Sequence, residues 1–190
     1  MRTFIYKFVY NPFLGALLFV VISSTHAIEK DWFSFVGEFD KTVGKMDVNV
    51  SLRKKAPMLT QPFLVMTSMK MNKSTTDGLD SDEELPTLLK FSKQVELIVK
   101  AKDTYSYAGN FTHEGVRINY FYVSDTIGLR QAFTKMYADQ FPEYSLGLNL
   151  KEDKKWQTYF EFLFPGEDAI EQIKENRKQK ARIDKGSKSK

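Results

Sequence analysis

The stretch that decides the fold is Tyr105-Ser-Tyr-Ala-Gly-Asn-Phe-Thr-His-Glu-Gly-Val-Arg-Ile-Asn-Tyr-Phe-Tyr-Val123. Apolar and polar residues alternate over 105–111 and again over 116–123, a pattern that predicts two strands with one buried face each. Glu114-Gly115 lies between them and is typical of a tight turn. Because so short a link joins neighbouring strands only in antiparallel fashion, this stretch predicts a β-hairpin.

The same two-residue alternation occurs in five other parts of the chain. It predicts further strands over 32–39, 46–52, 63–71, 144–150 and 156–164. The links between most of these segments are short, which favours antiparallel pairing. The sequence therefore predicts one mostly antiparallel sheet of seven strands.

Three segments have helical spacing instead. Ser81 and Glu84 form a possible capping box for a first helix, whose apolar stripe runs to Val99. A second helix follows Asp125 and must end before Pro142, which cannot continue it. A third is expected to begin near Gly166. All three are amphipathic, so we expect them to pack on the sheet.

The predicted order of elements is β-β-β-α-β-β-α-β-β-α. From the third strand to the sixth it reads β-α-β-β-α-β, the split pattern of ferredoxin-like sheets. We therefore predict the α+β class: a mostly antiparallel sheet with helices on one face, built on a ferredoxin-like split β-α-β core with extra strands.

The first 27 residues differ from the rest of the chain. Arg2 and Lys7 are followed by an uncharged, mostly bulky run over 13–22 and by Thr25-His26-Ala27, which approximates a small-x-small cleavage site. This layout predicts a signal peptide over 1–27, cleaved after Ala27, and a periplasmic or secreted protein without a stable membrane span. The alternative is an uncleaved N-terminal membrane anchor.

Charge divides the remainder into a single α+β domain, 28–178, and a basic tail, 179–190, that we expect to be disordered. Residues 28–173 contain 18 Lys and Arg against 22 Asp and Glu, whereas the sequence from Lys174 onward contains eight basic and two acidic residues. A basic tail can bind nucleic acid or anionic membrane. Nucleic acid is the disfavoured partner, because the domain is acidic and no aromatic residue interrupts the tail.

The sequence contains no recognisable catalytic constellation. It has no cysteine and two histidines, and it lacks glycine-rich phosphate loops and a G-x-S-x-G motif. We therefore expect no cofactor and no metal. Acidic residues crowd 77–84, which favours a loop and helix start over a calcium site. A carboxylate-dependent hydrolase using Asp77 and Glu84 is kept as an alternative to a protein without catalysis.

A series of motifs resembles a known family. The motifs are Trp32, Leu52-Arg-Lys-Lys-Ala-Pro57, Met69-Lys-Met-Asn72, Asp77-Gly-Leu79, Glu83-Glu84, Trp156-x-x-Tyr-Phe-x-Phe-Leu-Phe-Pro165 and Ile173-Lys-Glu-Asn-Arg177. Together they resemble the bacterial domain-of-unknown-function family 695 over nearly all of 29–178. The resemblance implies no assigned activity, cofactor or catalytic residue. Some members are joined to a domain resembling an inhibitor of an RNA-degrading endonuclease, whereas this sequence continues in a lysine-rich stretch.

Four residues of the motifs that carry the resemblance are candidates for a binding surface. They are Arg53, Lys55, Asp77 and Arg177, two of which follow the second predicted strand and one of which precedes the first helix. The leading hypothesis is an exported interaction domain that binds an unknown protein or envelope ligand. A nuclease-associated or RNA-associated regulator is the alternative, and export disfavours it.

Overall fold

The fold was analysed in a computed structural model, which describes residues 32–166, 169–171 and 175. These residues form one sheet, two long helices and two short helical segments, and residues 169–171 and 175 are also helical. The elements are β1 (Trp32–Phe39), β2 (Thr42–Asn49), a 3-10 helix (Val50–Lys54), β3 (Phe63–Lys70), α1 (Leu85–Val99), β4 (Tyr105–His113), β5 (Val116–Val123), α2 (Leu129–Gln140), β6 (Ser145–Glu152) and a π-helical turn (Tyr159–Leu163).

The sheet has the order β1-β2-β4-β5-β3-β6, and every neighbouring pair is antiparallel. The hairpin predicted over 105–123 is present as β4 and β5, whose register runs from Tyr105 opposite Val123 to His113 opposite Val116. Glu114 and Gly115 turn the chain with positive φ angles of 47° and 75°. The predicted α+β class with a mostly antiparallel sheet is thus confirmed.

The two long helices connect strands that are not neighbours. α1 joins β3 to β4, and β5 lies between these strands in the sheet; α2 joins β5 to β6, and β3 lies between them. The two β-α-β units are therefore interleaved at the centre of the sheet. The likeness to ferredoxin-like sheets as a fold family stays a prediction.

One face of the sheet is covered by α1 and α2. The apolar stripe of α1 (Leu88, Phe91, Val95, Val99) and that of α2 (Leu129, Phe133, Met136) are buried against β3 and β5, and the partly buried leucines of β6 border them. The predicted signals for the helix starts are present only in part: the Glu84 carboxylate accepts the Lys73 N–H instead of completing a capping box, and Gly128 directly precedes α2. Ser81 Oγ accepts the Glu84 N–H at 3.2 Å, and Asp125 accepts the Ile127 N–H at 2.8 Å before α2.

The opposite face is covered by the segment after β6. Trp156, Tyr159 and Leu163 are fully buried there, in one cluster with Phe111 of β4 and with Tyr120 and Tyr122 of β5. Ile170 is buried in the same cluster, and its N–H donates to the Gly166 carbonyl at 3.3 Å, as expected for a helix that begins near Gly166. The sheet therefore carries a core on each face.

The seventh predicted strand, 156–164, is wrong. Asp153 accepts the N–H groups of Gln157 and Thr158 at 2.8 and 3.0 Å, which caps a helical turn, and Trp156 takes a φ of 56°. Aromatic residues occupy five of the nine positions of this segment and include the adjacent Tyr159 and Phe160, so its spacing does not distinguish a strand from a π-helical turn. The turn lets Trp156, Tyr159 and Leu163 point inward together.

Two further predictions concern the chain ends. The signal peptide over 1–27, with its cleavage after Ala27, and the basic tail over 179–190 lie outside the described residues. Within the described ranges, no helix has the length and apolar composition needed to cross a membrane.

Candidate functional site

The most unusual feature of the sheet is a band of polar side chains on the face that carries α1 and α2. Side chains directly opposite one another in neighbouring strands point to the same face of a sheet. In one such row Lys45, Thr112 and Arg117 are adjacent. In the next row the adjacent polar residues are Ser34, Asp47, Asn110, Asn119 and Thr67. We refer to these eight residues as the polar strip.

The polar strip runs from an exposed edge to a buried centre. Ser34 on β1 is exposed, whereas Thr67, Thr112 and Asn119 are fully buried and Arg117 is 4% exposed. Polar groups at such depth are expected to be hydrogen-bonded, since an unpaired one loses water without replacement. The hydrogen-bond partners of the strip therefore decide what it does.

Two ion pairs hold the charged residues of the strip. Arg117 Nη2 lies 3.5 Å from Asp47 Oδ2 and donates to Asn110 Oδ1 at 3.0 Å. Lys45 Nζ lies 3.2 Å from Asp80 Oδ2, on the loop between β3 and α1. Ser34 donates a hydrogen bond to Asp47. The charges of the strip and its loop partner thus balance.

A second network continues the strip under α1. Asn119 Oδ1 accepts hydrogen bonds from Tyr107 Oη at 2.8 Å and from Ser92 Oγ on α1 at 3.0 Å. Asn110 Nδ2 donates to Tyr107 Oη at 3.2 Å. Burial raises the pKa of Tyr107 to about 12, although the nearby Arg117 opposes this shift. Tyr107 is therefore a neutral hydroxyl at physiological pH.

Three atoms of the strip have no hydrogen-bond partner among the described residues. They are Thr67 Oγ1, Thr112 Oγ1 and Asn119 Nδ2, each with almost no accessible surface. Thr67 lies directly opposite Asn119, and Thr112 directly opposite Arg117. The centre of the strip therefore has unused capacity both to donate and to accept hydrogen bonds.

Of the residues predicted to form a binding surface, Arg53 and Lys55 lie together. Both are exposed after the end of β2, which stops at Asn49 rather than at Leu52. The Arg53 guanidinium carbon stacks 5.4 and 5.6 Å from the ring centres of Phe160 and Phe164. A chain reversal and a 3-10 helix, rather than a strand end, thus present these cations.

Asp77 lies at the other end of the sheet. It lines a shallow cleft with Thr42, Thr76 and Glu114, between the β1–β2 and β4–β5 turns. Gly78 has a φ of 78°, and a Cβ there would lie 2.9 Å from the Glu114 Cα, so glycine permits the close approach of loop and turn. A strand of eight residues, about 25 Å long, separates Asp77 from Arg53.

The predicted four-residue surface is therefore not assembled by the described structure. Arg53 and Lys55 lie at one end of the sheet and Asp77 at the other, and Arg177 lies outside the described residues. Within the described ranges, no group of three or more histidine and carboxylate side chains is placed to hold a metal ion.

Sequence reasoning missed the polar strip, although one signal for it is visible. In β5, Arg117 and Asn119 share their face with Phe121 and Val123, which interrupt the expected polar side of the strand. When both faces of a strand carry bulky apolar residues, its polar residues are buried too. The mixed face of β5 therefore indicates buried polar groups.

Comparisons with known proteins place the chain in a family. Neither a search of curated proteins nor one of solved structures found a significant match. The model of a family described as "Family of unknown function (DUF695)" matches residues 30–164, which include both helices and all six strands. The motifs from which membership of this family was predicted lie mostly within the matched range. The chain therefore belongs to the DUF695 family, whose function is unknown.

Proposed function

We propose that this chain is an exported, non-catalytic binding domain, and that the polar strip holds a polar group of its ligand. The observation that carries the proposal is the presence of three buried, unpartnered polar atoms, Thr67 Oγ1, Thr112 Oγ1 and Asn119 Nδ2, between two ion pairs. An unsatisfied buried polar group costs about 1–3 kcal/mol, and a bound ligand would offset that cost.

The arrangement indicates the chemistry of the ligand. The two hydroxyls can donate or accept, and the Asn119 amide can donate, so a hydroxyl or carbonyl oxygen would satisfy them. Arg117 and Lys45 are already balanced by Asp47 and Asp80, so the site favours an uncharged or zwitterionic polar group over a simple ion. The exposed edge at Ser34 provides the side from which such a group would approach.

Recognition suits this site better than catalysis. Asp47 and Asp80, the carboxylates of the site, are each held by a fixed cation. The carboxylates of the hydrolase alternative have structural contacts: Glu84 accepts the Lys73 N–H at 2.9 Å, and Asp77 accepts a hydrogen bond from the Thr75 hydroxyl. A general base needs a lone pair directed at substrate. These contacts engage one oxygen of each carboxylate within the fold, and the second oxygen of Glu84 is buried away from solvent.

Export is tested by measuring the intact mass of the protein in fractionated cells. We expect a species that begins at Ile28, found outside the cytoplasm, because the sequence over 1–27 has the layout of a cleaved signal peptide. A full-length chain in the cytoplasm would overturn export and favour the RNA-associated alternative. A full-length chain in the membrane fraction would establish the N-terminally anchored alternative.

Ligand binding is tested by native mass spectrometry of protein purified from the cells that produce it. We expect a bound small molecule that is absent from the denatured mass, and we expect Thr112→Val to lose it. Thr134→Val, the same chemical change at an exposed position of α2, should retain it. Wild-type protein that carries no bound molecule, or equal occupancy in both variants, would contradict the assignment to the polar strip.

A further inference from the structure

β1 forms one edge of the sheet, and among the described strands none pairs with its outer side. The sheet order places β1 at one end, with β2 as its neighbour. The pairing with β2 is continuous over all eight residues, from Trp32 opposite Asn49 to Phe39 opposite Thr42. An edge strand of this length presents a row of backbone N–H and C=O groups to which another strand can bind. The outer side of β1 is therefore a candidate surface for strand addition.

The turn between β1 and β2 shows which backbone groups of β1 face outward. Asp40 and Lys41 form a two-residue turn with φ angles of 47° and 70°, as in a type I′ hairpin. The residues that flank such a turn, Phe39 and Thr42, form a hydrogen-bonded pair, and every second pair along the two strands is then hydrogen-bonded as well. The backbone groups of the remaining four residues of β1 point away from the sheet: Trp32, Ser34, Val36 and Glu38.

β1 lacks the features that usually protect an edge strand. Such strands commonly carry lysine or proline, contain a bulge, or are covered by a helix. The sequence of β1, Trp32-Phe-Ser-Phe-Val-Gly-Glu-Phe39, has one charged residue, Glu38, and its register contains no bulge. The other edge strand, β6, carries two charged residues at its end and is bordered by α2, whose Tyr137 Oη donates to the Gly147 carbonyl at 3.1 Å. Of the two edges, β1 is therefore the one suited to pairing.

The sequence of β1 is complementary to a second copy of itself. When two antiparallel copies are related by a two-fold axis, the registers with the longest overlap are centred on Val36 and on Phe35. In both registers Gly37 lies opposite a phenylalanine of the other copy, and an aromatic ring opposite an edge glycine stabilises strand pairing. Glu38 lies opposite a serine or a tryptophan in these registers, so the destabilising contact of like charges is avoided.

We propose that β1 pairs in antiparallel fashion with β1 of a second copy of this chain, which joins two sheets into one. Both copies contribute the same surface, as is usual in two-fold symmetric dimers. One pair of strands buries an area at the low end of the range of specific interfaces, so the dimer is weak, with a Kd in the micromolar range. The pairing uses the backbone edge of β1 and requires neither export nor a ligand in the polar strip.

The test is sedimentation velocity of the full chain as isolated from cells, at protein concentrations from about 1 to 100 μM. Val36→Lys and Val36→Glu each place like charges on neighbouring positions of the two copies. The matched control is Val43→Lys, which changes another half-buried valine on the same face, one strand inside the edge. We expect a concentration-dependent dimer in wild type, a loss of affinity of roughly tenfold or more in both Val36 variants, and a change within about twofold in the control.

A mixture of the two Val36 variants separates pairing from misfolding. If β1 meets its own copy, an equal mixture of Val36→Lys and Val36→Glu should regain the dimer, because opposite charges then become neighbours. Circular dichroism of each variant measures whether it is folded.

Several results would overturn the proposal. A wild-type chain that stays monomeric over the whole concentration range would leave the edge to a strand of a different protein. A dimer that survives Val36→Lys would assign self-association to another surface. Equal losses in Val36→Lys and Val43→Lys, or a mixture that stays monomeric, would show that β1 does not lie beside its own copy. Since these measurements involve neither cell fractionation nor a bound molecule, failure here is distinguishable from failure of the proposed function.

Discussion

The two faces of the sheet bury polar groups in opposite ways. On the face covered by the segment after β6, the polar atoms of the buried aromatic residues have partners: Trp156 Nε1 donates to the Gln61 carbonyl at 3.0 Å, and Tyr159 Oη donates to the Asn49 carbonyl at 2.9 Å. On the face covered by α1 and α2, Thr67, Thr112 and Asn119 each leave an atom unpaired. We call the first the closed face.

The centre of the closed face is a stack locked by hydrogen bonds. The rings of Tyr122 and Trp156 are parallel, with centres 3.8 Å apart. Tyr122 Oη donates to Asp153 at 2.7 Å and accepts the Tyr159 N–H at 3.2 Å. Because the polar groups of Tyr122, Trp156 and Asp153 are satisfied within the fold, this stack has the properties of a structural core.

This difference indicates which face of the sheet stabilises the domain and which face is suited to binding. A satisfied network fixes one arrangement and contributes to the free energy of unfolding. A partly satisfied network costs free energy unless something else fills it, which is why strained or unpaired groups concentrate at functional sites. Substitutions on the two faces should therefore change the free energy of unfolding by different amounts and even in opposite directions.

The largest expected effect is on the closed face. Trp156→Ala should lower the free energy of unfolding by about 3–5 kcal/mol, because it removes a fully buried ring, its stack on Tyr122 and its hydrogen bond. Urea unfolding followed by circular dichroism measures this change. Trp32→Ala is the matched control: that ring is half-buried at the sheet edge, and we expect a loss of about 1–2 kcal/mol. Equal losses would contradict the assignment of Trp156 to the centre of the core.

The second effect concerns the acid dependence of the closed face. Burial opposes ionisation of Asp153, but hydrogen bonds from Tyr122 and from the N–H groups of Thr158 and Gln157 outweigh it, so the pKa of Asp153 is lowered. Asp153→Asn removes these charge-assisted bonds and should cost about 1.5–3 kcal/mol at neutral pH. Urea unfolding at a series of pH values measures how this cost depends on acid.

The direction of the pH effect follows from the lowered pKa. Between the two pKa values the unfolded chain binds a proton that the folded chain does not, so the stabilisation from Asp153 is complete above the unfolded value of about 3.9. It is lost as the pH falls through the folded value. The difference between wild type and Asp153→Asn should therefore shrink below about pH 4. A difference that stays constant to the most acidic pH would contradict the ionised role of Asp153.

The sequence predicts local elements of this fold better than it predicts either face. The 105–123 hairpin and the apolar stripe of α1 follow from periodicity and from a two-residue turn, which are local properties. The conformation of the 156–164 segment does not follow from periodicity. Hydrogen bonds to Asp153 and Tyr122, which lie outside the segment, determine it. Tertiary hydrogen bonds override a pattern that fits two structures equally well.

The candidate sites fail to follow from sequence for a related reason. The polar strip depends on register: Thr112 becomes a buried neighbour of Arg117 only once β4 and β5 are paired and α1 lies above them. Whether Arg53 and Asp77 lie close together is likewise not visible from sequence, and in the structure a whole strand separates them. The spacing of residues along the chain predicts where a strand lies. Which residues neighbour it across the sheet is determined by the topology.

The smallest expected effect on the free energy of unfolding is a gain rather than a loss, and it distinguishes the two faces most directly. Thr112→Val removes a buried hydroxyl that has no partner among the described residues, so ligand-free protein should gain about 1 kcal/mol in the free energy of unfolding. Tyr122→Phe removes a hydroxyl with two partners on the closed face and should lose about 1–3 kcal/mol. Urea unfolding of both variants, after dialysis against denaturant and refolding, makes the comparison.

If Thr112→Val is also destabilising, the hydroxyl is satisfied in solution by ordered water, and the strip is a structural network like the closed face. If it is stabilising, the wild-type chain keeps a costly threonine at this position, which is the trade between stability and function expected of a binding site.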